Sequence, residues 1–239
     1  MKQLRKVWRF TLPELLQNLC FIIGSGIFGI LIVFLIVKIA KTDDYAAFAG
    51  FFAFLMWGLT EIWTGMVCFG KNFAMMVSMS RTRKEFFGAY LLSNFVGNCI
   101  KAAAVVGITF LEKVWQNSYY EGLTCDLDIS GFLFDYRVII ATVLLALGLR
   151  MLLGVLYLKY QMIIFWVLWG LTMCGGLFAG TISKVVHGET SNIVVETLMG
   201  LAEKFMAAGG LIQIMIIGVI FGVMTAIAGI LTSKQAVKC

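Results

Sequence analysis

Three ionisable residues, Glu61, Lys101 and Arg150, stand inside long apolar runs of this chain. A charge at membrane depth is expensive and is kept for a partner, a wet cavity or a substrate path. At 1.5 Å per helical residue, Glu61 lies roughly 22 Å from the outer end of its run and Arg150 roughly 18 Å from the outer end of its own. These depths allow an ion pair or a water-bridged contact, read as a structural clamp between two spans or as a substrate contact. Lys101 lies roughly 15 Å from the outer end of its own run, in the outer half and further out than Glu61. No acid is expected at that depth, so Lys101 is expected to snorkel outward or to face a wet cavity.

Other chemistry is poorly supported. Gly65-Met66-Val67-Cys68-Phe69-Gly70-Lys71-Asn72 fits G-x4-G-K. A phosphate-binding loop needs Ser or Thr next, to hold magnesium, and a strand before it. Asn72 fails that test, and the glycines end an apolar run. His187 is the only histidine, and a lone imidazole makes neither a metal site nor a triad. There is no HExxH and no Ser/His/Asp set, so no catalytic residue or metal ligand is expected and the chain is not read as an enzyme. The six cysteines form no CxxC pair; Cys125 alone falls in a predicted external loop, which leaves no external disulfide to form within the chain.

The elements that hold these residues follow from composition. Of 239 residues 61% are hydrophobic and 13% charged, with mean hydropathy +0.94; soluble domains carry about 25% charge. A membrane β-barrel alternates apolar and polar residues over roughly ten positions, whereas these runs are continuous. The expectation is an all-α membrane protein forming one transmembrane domain over 1–239. About 20 apolar residues cross a bilayer, and six spans qualify: 19–37, 46–69, 87–111, 138–158, 162–182 and 209–231. The first run is long and lacks an A-x-A-like end, so it reads as a span and not a cleaved signal.

Loop charges set the orientation. With both termini in the cytoplasm, Lys2, Arg5, Lys6, Arg9, Lys71, Arg81, Arg83, Lys84, Lys159, Lys234 and Lys238 lie inside, against Glu14 and Glu85. Most of the acids then lie outside. The formal net charge of +6 is chiefly this signal, and no aromatic-basic motif supports a nucleic-acid partner.

Three segments do not cross. On a helical projection Met1–Phe10 puts Leu4, Val7, Trp8 and Phe10 on one arc and Lys2, Arg5, Lys6 and Arg9 on the other. That describes a basic interfacial helix or, more plainly, a positively charged flank. Thr11-Leu12-Pro13-Glu14 has capping-box spacing and is expected to start the first spanning helix, with residues 1–17 as foot and lead-in. Lys71–Phe86 reads as a short helix over Asn72–Met79 carrying Phe73, Met76 and Val77, then a break, then a capping box at Thr82-Arg83-Lys84-Glu85. Such a cytoplasmic helix fits a groove on a soluble partner; the plainer reading is a basic loop near the membrane. Ser191–Ala207 is amphipathic without being basic and is expected to cap the bundle from outside or to dip into the outer leaflet.

Gly176-x-x-x-Gly180 and Gly218-x-x-x-Gly222 permit close helix contact, within the protomer or, for the former, in a dimer. Trp166 and Trp169 fit interfacial anchors or a substrate-facing pair.

This layout resembles the permease subunit of an ABC transporter of the type-2, exporter-type class. The similarity covers the whole chain in arrangement and is sharpest at Ala74–Phe87, AMMVSMSRTRKEFF, which is similar to a stretch common in small permeases of Gram-positive bacteria. The resemblance implies that Asn72, Phe73, Met76, Val77, Arg81, Arg83, Lys84 and Glu85 belong to a coupling helix on an ATP-binding subunit. It implies that Lys2, Arg5, Lys6, Trp8 and Arg9 belong to a connecting helix touching the same subunit. It also implies a second permease, homo- or heteromeric, and ATP and magnesium held by the partner ATPase, with no cofactor in this chain. The substrate implied is hydrophobic or amphipathic, of the peptide-toxin or bacteriocin kind, crossing the plasma membrane of a bacterium. The alternatives are a six-span substrate-binding component of an energy-coupling importer, and a membrane anchor or sensor that transports nothing.

Overall fold

Polar residues recur every three or four positions in three stretches: Thr11, Glu14 and Asn18 leading into the first apolar run, Glu61 and Thr64 (with Thr60) on the second, Asn94, Asn98 and Lys101 on the third. Such spacing puts each set on one face of a helix. In the computed structural model these faces meet inside the bundle. Glu61, Asn98, Lys101 and Arg150 are buried, while Leu16, Ile27, Phe28, Leu31, Trp63 and Phe110 are each more than half exposed. Apolar surface outside and polar stripes inside is the arrangement that hydrocarbon surroundings favour. The chain is a multi-pass membrane protein.

The structure describes residues 2–40, 44–78, 82–119, 124–127, 130–173, 197, 200, 204, 205, 207 and 209–234. Its elements are α1 (Lys2–Ala40), β1 (Asp44–Ala46), α2 (Phe48–Ser78), α3 (Arg83–Tyr119), β2 (Thr124–Leu127), α4 (Ser130–Phe134), α5 (Tyr136–Tyr160), α6 (Met162–Met173) and α7 (Gly210–Lys234). Five of these helices, α1, α2, α3, α5 and α7, are long and apolar enough to cross a membrane. The expected span 162–182 is represented by α6, and its remainder lies outside the described residues, as does almost all of the expected external helix 191–207. One departure from an all-helical chain is a short parallel ladder, with Asp44 opposite Thr124 and Tyr45 opposite Cys125. It joins the α1–α2 and α3–α4 connections at one end of the bundle.

Two expected helix boundaries are absent. α1 runs unbroken from Lys2 with Pro13 inside it, so there is no separate foot. Thr11 does not cap: its hydroxyl donates back to the Val7 and Trp8 carbonyls and pairs with Ser93 Oγ at 2.6 Å. The apolar arc that was expected to meet lipid packs on protein instead, with Val7 buried among Phe69, Phe73, Phe86 and Tyr90 and Phe10 against the same cluster. Likewise α2 continues to Ser78, so residues 72–78 are helical as expected but form its last turns and not a separate coupling helix. Phe73 is the reason. It stacks on Phe69 and meets Phe86 edge-on at 5.5 Å, which holds α2 straight past the apolar run. Aromatic pairs of this kind contribute about 0.5–1.5 kcal/mol each beyond burial.

The start of α3 falls where its capping box predicts. Thr82 Oγ1 accepts from Glu85 N at 3.3 Å, and Thr82 O accepts from Phe86 N at 3.1 Å. α5 begins at Asp135, whose Oδ1 accepts from Arg137 N at 2.9 Å. It ends at Gln161, the described residue other than glycine with positive φ (44°), which turns the chain into α6.

Among the described residues, close helix contact is made by glycines outside the expected Gly218–Gly222 pair. A methyl group on Gly154 of α5 would stand 2.6 Å from Phe69 Cβ and 2.9 Å from the Gly65 carbonyl oxygen, and one on Gly65 would stand 3.0 Å from the Arg150 carbonyl. Gly65 and Gly154 thus let α2 and α5 touch backbone to backbone beside Arg150. Among the described residues, nothing lies within 4 Å of a methyl group on Gly218 or Gly222, so that motif makes no close contact with them. Gly176 and Gly180 lie outside the described residues.

Candidate functional site

Lys101 and Glu61 form a direct ion pair, each about 2% exposed. The expectation of an unpartnered Lys101 fails because α2 and α3 extend to a tight joint. Glu61 sits about 17 residues before the end of α2 and Lys101 about 18 after the start of α3, which is the same depth at 1.5 Å per residue. Asn98, one turn before Lys101, donates to Glu61 Oε2 at 3.3 Å and accepts from Trp57 Nε1 at 2.8 Å.

Arg150 enters from α5, where the two glycines bring that helix against α2. Its Nη1 donates to Thr64 Oγ1 at 2.9 Å and lies 3.5 Å from Glu61 Oε2, as the sequence depths allowed. Its Nη2 donates to Glu14 Oε2 at 2.7 Å and to Tyr90 Oη at 3.3 Å. Its guanidinium also lies 5.8 Å from the Tyr90 ring centroid, a cation–π contact. Glu14 was expected to cap a helix; instead it is the second acid of the network. Its other oxygen accepts from Asn72 Nδ2 at 2.7 Å.

Two acids and two bases therefore balance inside four helices, α1, α2, α3 and α5. A planar guanidinium fork suits this place because it bonds two acids at once without losing its charge. The result is a continuous polar chain, Asn72–Glu14–Arg150–Glu61–Lys101. It runs from two turns above the α2–α3 joint to the middle of the bundle. Beside it lies a small recess between α1 and α3, lined by Trp8, Thr11, Ser93, Asn94, Lys101 and Arg150 among others. Arg150 Nε, buried there, has no partner among the described residues.

Of the other residues singled out for partner contact, Phe73 and Asn72 are buried in the bundle, and Trp8 is half-buried. Arg9, Lys84 and Glu85 are exposed. Arg83 Nη1 donates to the Ser233 carbonyl at the end of α7, 2.9 Å away. The side chains of Lys2, Arg5, Lys6, Met76 and Val77 and the whole of Arg81 lie outside the described residues. Trp166 and Trp169 are at least half exposed on α6 and pack edge-on with each other, 5.8 Å between ring centroids.

Another buried acid, Glu112, lies one residue past the expected span 87–111. It reaches from α3 to the first turn of α2, where its two oxygens accept from Ala49 N and Gly50 N, both at 2.8 Å. Ala47, the residue before α2, has no side chain that could cap, and Glu112 takes that role, 63 residues along the chain from the Ala49 amide it accepts from. Its place on the α3 polar stripe was the signal available in the sequence.

No protein-family model matches this chain, and neither the characterised proteins nor the solved structures include a detectable relative.

Proposed function

We propose that this membrane protein is the permease subunit of an ATP-driven exporter, paired with a second permease and driven by separate ATP-binding subunits. Its cargo is a hydrophobic or amphipathic peptide. The sixth span is formed by the segment that begins with α6, and both termini are cytoplasmic, as the loop charges favour.

The observation that carries this reading is the polar chain from Asn72 to Lys101. A buried ion network is not an economical way to hold helices together, since well-packed apolar residues do as well or better. It is more useful where two arrangements must be nearly equal in energy. A soluble partner pressing on the α2–α3 joint displaces the last turns of α2, and Asn72 carries that shift to Glu14. If α1 moves with it, Glu14 leaves Arg150, whose remaining acid is Glu61. Glu61, which already faces both Arg150 and Lys101, is then left as the one acid for the two cations. That exchange is a discrete two-state element of the sort that joins a distant binding event to an opening between helices.

Co-expression with the P-loop ATPase encoded nearest to it tests the assignment. The expected result is a complex of two ATPase subunits and two permeases that moves an amphipathic peptide into inverted vesicles only when ATP is hydrolysed. Peptide accumulation that is indifferent to ATP, or an ATPase that never co-purifies, would sink it.

A further inference from the structure

At the end of the bundle where α2 and α3 join, a groove of about 370 Å³, open to the surroundings, lies between the start of α3 and the end of α7. It is lined by Arg83 and Lys84 at the start of α3, by Phe87 and Gly88 one turn on, and by Gly229, Ile230, Thr232 and Ser233 of α7; Thr232 is buried and Ile230 is 57% exposed. The chemistry changes along its length: cationic at the boundary where the apolar run begins, apolar one turn further in.

We propose that this groove binds an anionic phospholipid, its phosphate against Arg83 and Lys84 and an acyl chain along Phe87 and Ile230. Three features select this occupant. The two bases sit at the level of the headgroups, where α3 enters its apolar run. Arg83 is already held in place, because one of its nitrogens donates to the Ser233 carbonyl, and its fork keeps other N–H groups for a phosphate. The glycines keep the apolar part open: a methyl group on Gly88 would meet nothing within 4 Å, and one on Gly229 only the Phe87 ring at 3.5 Å. Basic pockets between helices at the membrane boundary are suited to anionic headgroups. A neutral zwitterionic lipid would gain the apolar contact but not the charge. This inference is independent of the exporter reading.

The test uses the full chain in detergent, with dioleoylphosphatidylglycerol, dioleoylphosphatidylcholine and glycerol phosphate as probes, and reads bound lipid by native mass spectrometry alongside thermal unfolding. The expected preference for the anionic lipid is on the order of tenfold, with no effect of glycerol phosphate. Arg83→Gln with Lys84→Gln removes the preference. Gly88→Leu fills the groove and lowers binding of both lipids there, whereas Gly58→Leu, at another glycine with open space around it, does not. Equal binding of the two lipids overturns the proposal, as does a Gly88→Leu chain that binds like Gly58→Leu. A preference that emerges only when residues 235–239 are deleted also overturns it, since the tail would then be the occupant.

Discussion

Glu14 and Arg150 stand 136 residues apart in the chain and 2.7 Å apart in the bundle. The bond ties the first membrane helix to α5 through a guanidinium that also reaches Glu61 and Thr64. Removing one member of a buried pair strands the other's charge, which costs about 3–5 kcal/mol. Arg150→Met is therefore expected to lower stability by that order, because both Glu14 and Glu61 lose a cation. The triple variant Arg150→Met, Glu14→Gln, Glu61→Gln is expected to recover part of the loss. Thermal unfolding of the detergent-solubilised protein checks both. Strictly additive losses would mean that these residues do not act as one network.

Within the network Glu61 serves two cations and Lys101 one acid. Glu61→Gln is accordingly expected to cost more than Lys101→Met, since it leaves both Lys101 and Arg150 under-compensated. The same unfolding assay ranks them. Equal costs, or the reverse order, would assign Lys101 another partner.

Glu112 caps α2 from α3. Glu112→Ala is expected to cost about 1–2 kcal/mol, the range for a lost N-terminal cap. It should also speed hydrogen exchange at the amides of Ala49 and Gly50 while leaving the far end of α2 unchanged. Exchange that rises along the whole helix would show a wider role than capping.

The glycine contacts separate the geometry from the motif. Gly154→Val drives methyl groups into Phe69 and the Gly65 carbonyl, and overpacking of this kind costs about 1–3 kcal/mol. Gly218→Val, where the surroundings are open, is expected to leave the folded protomer unaffected. A comparison of folded yield after solubilisation checks the pair.

What was legible in the sequence was set by composition and by the spacing of charges. The apolar runs announced the membrane, and Glu61 with Arg150 was recognisable as a pair from depth alone. Lys101 was misplaced because the depth count stopped each span at its last apolar residue, while Phe73 and Phe86 extend the two helices to a joint no composition could mark. Glu14 was hidden for a related reason. Thr11 to Glu14 has the residues of a helix start, and nothing local says that Thr11 will pair with Ser93 and Glu14 with Arg150; both partners come from elsewhere in the chain. The GxxxG spacing of α7 pointed to contact, but contact depends on the facing helix, and Gly65 with Gly154 has no spacing to read.

The most direct measurement is the number of peptides moved per ATP hydrolysed in proteoliposomes holding the permease and its ATPase, for wild type and Asn72→Leu. Asn72 donates to Glu14 from within α2, so its loss cuts the polar chain at the end nearest the partner while the four charges remain. The account predicts that the complex assembles and hydrolyses ATP while transport per ATP falls about tenfold, the equivalent of one charge-assisted hydrogen bond. Transport per ATP that is unchanged in Asn72→Leu would contradict it.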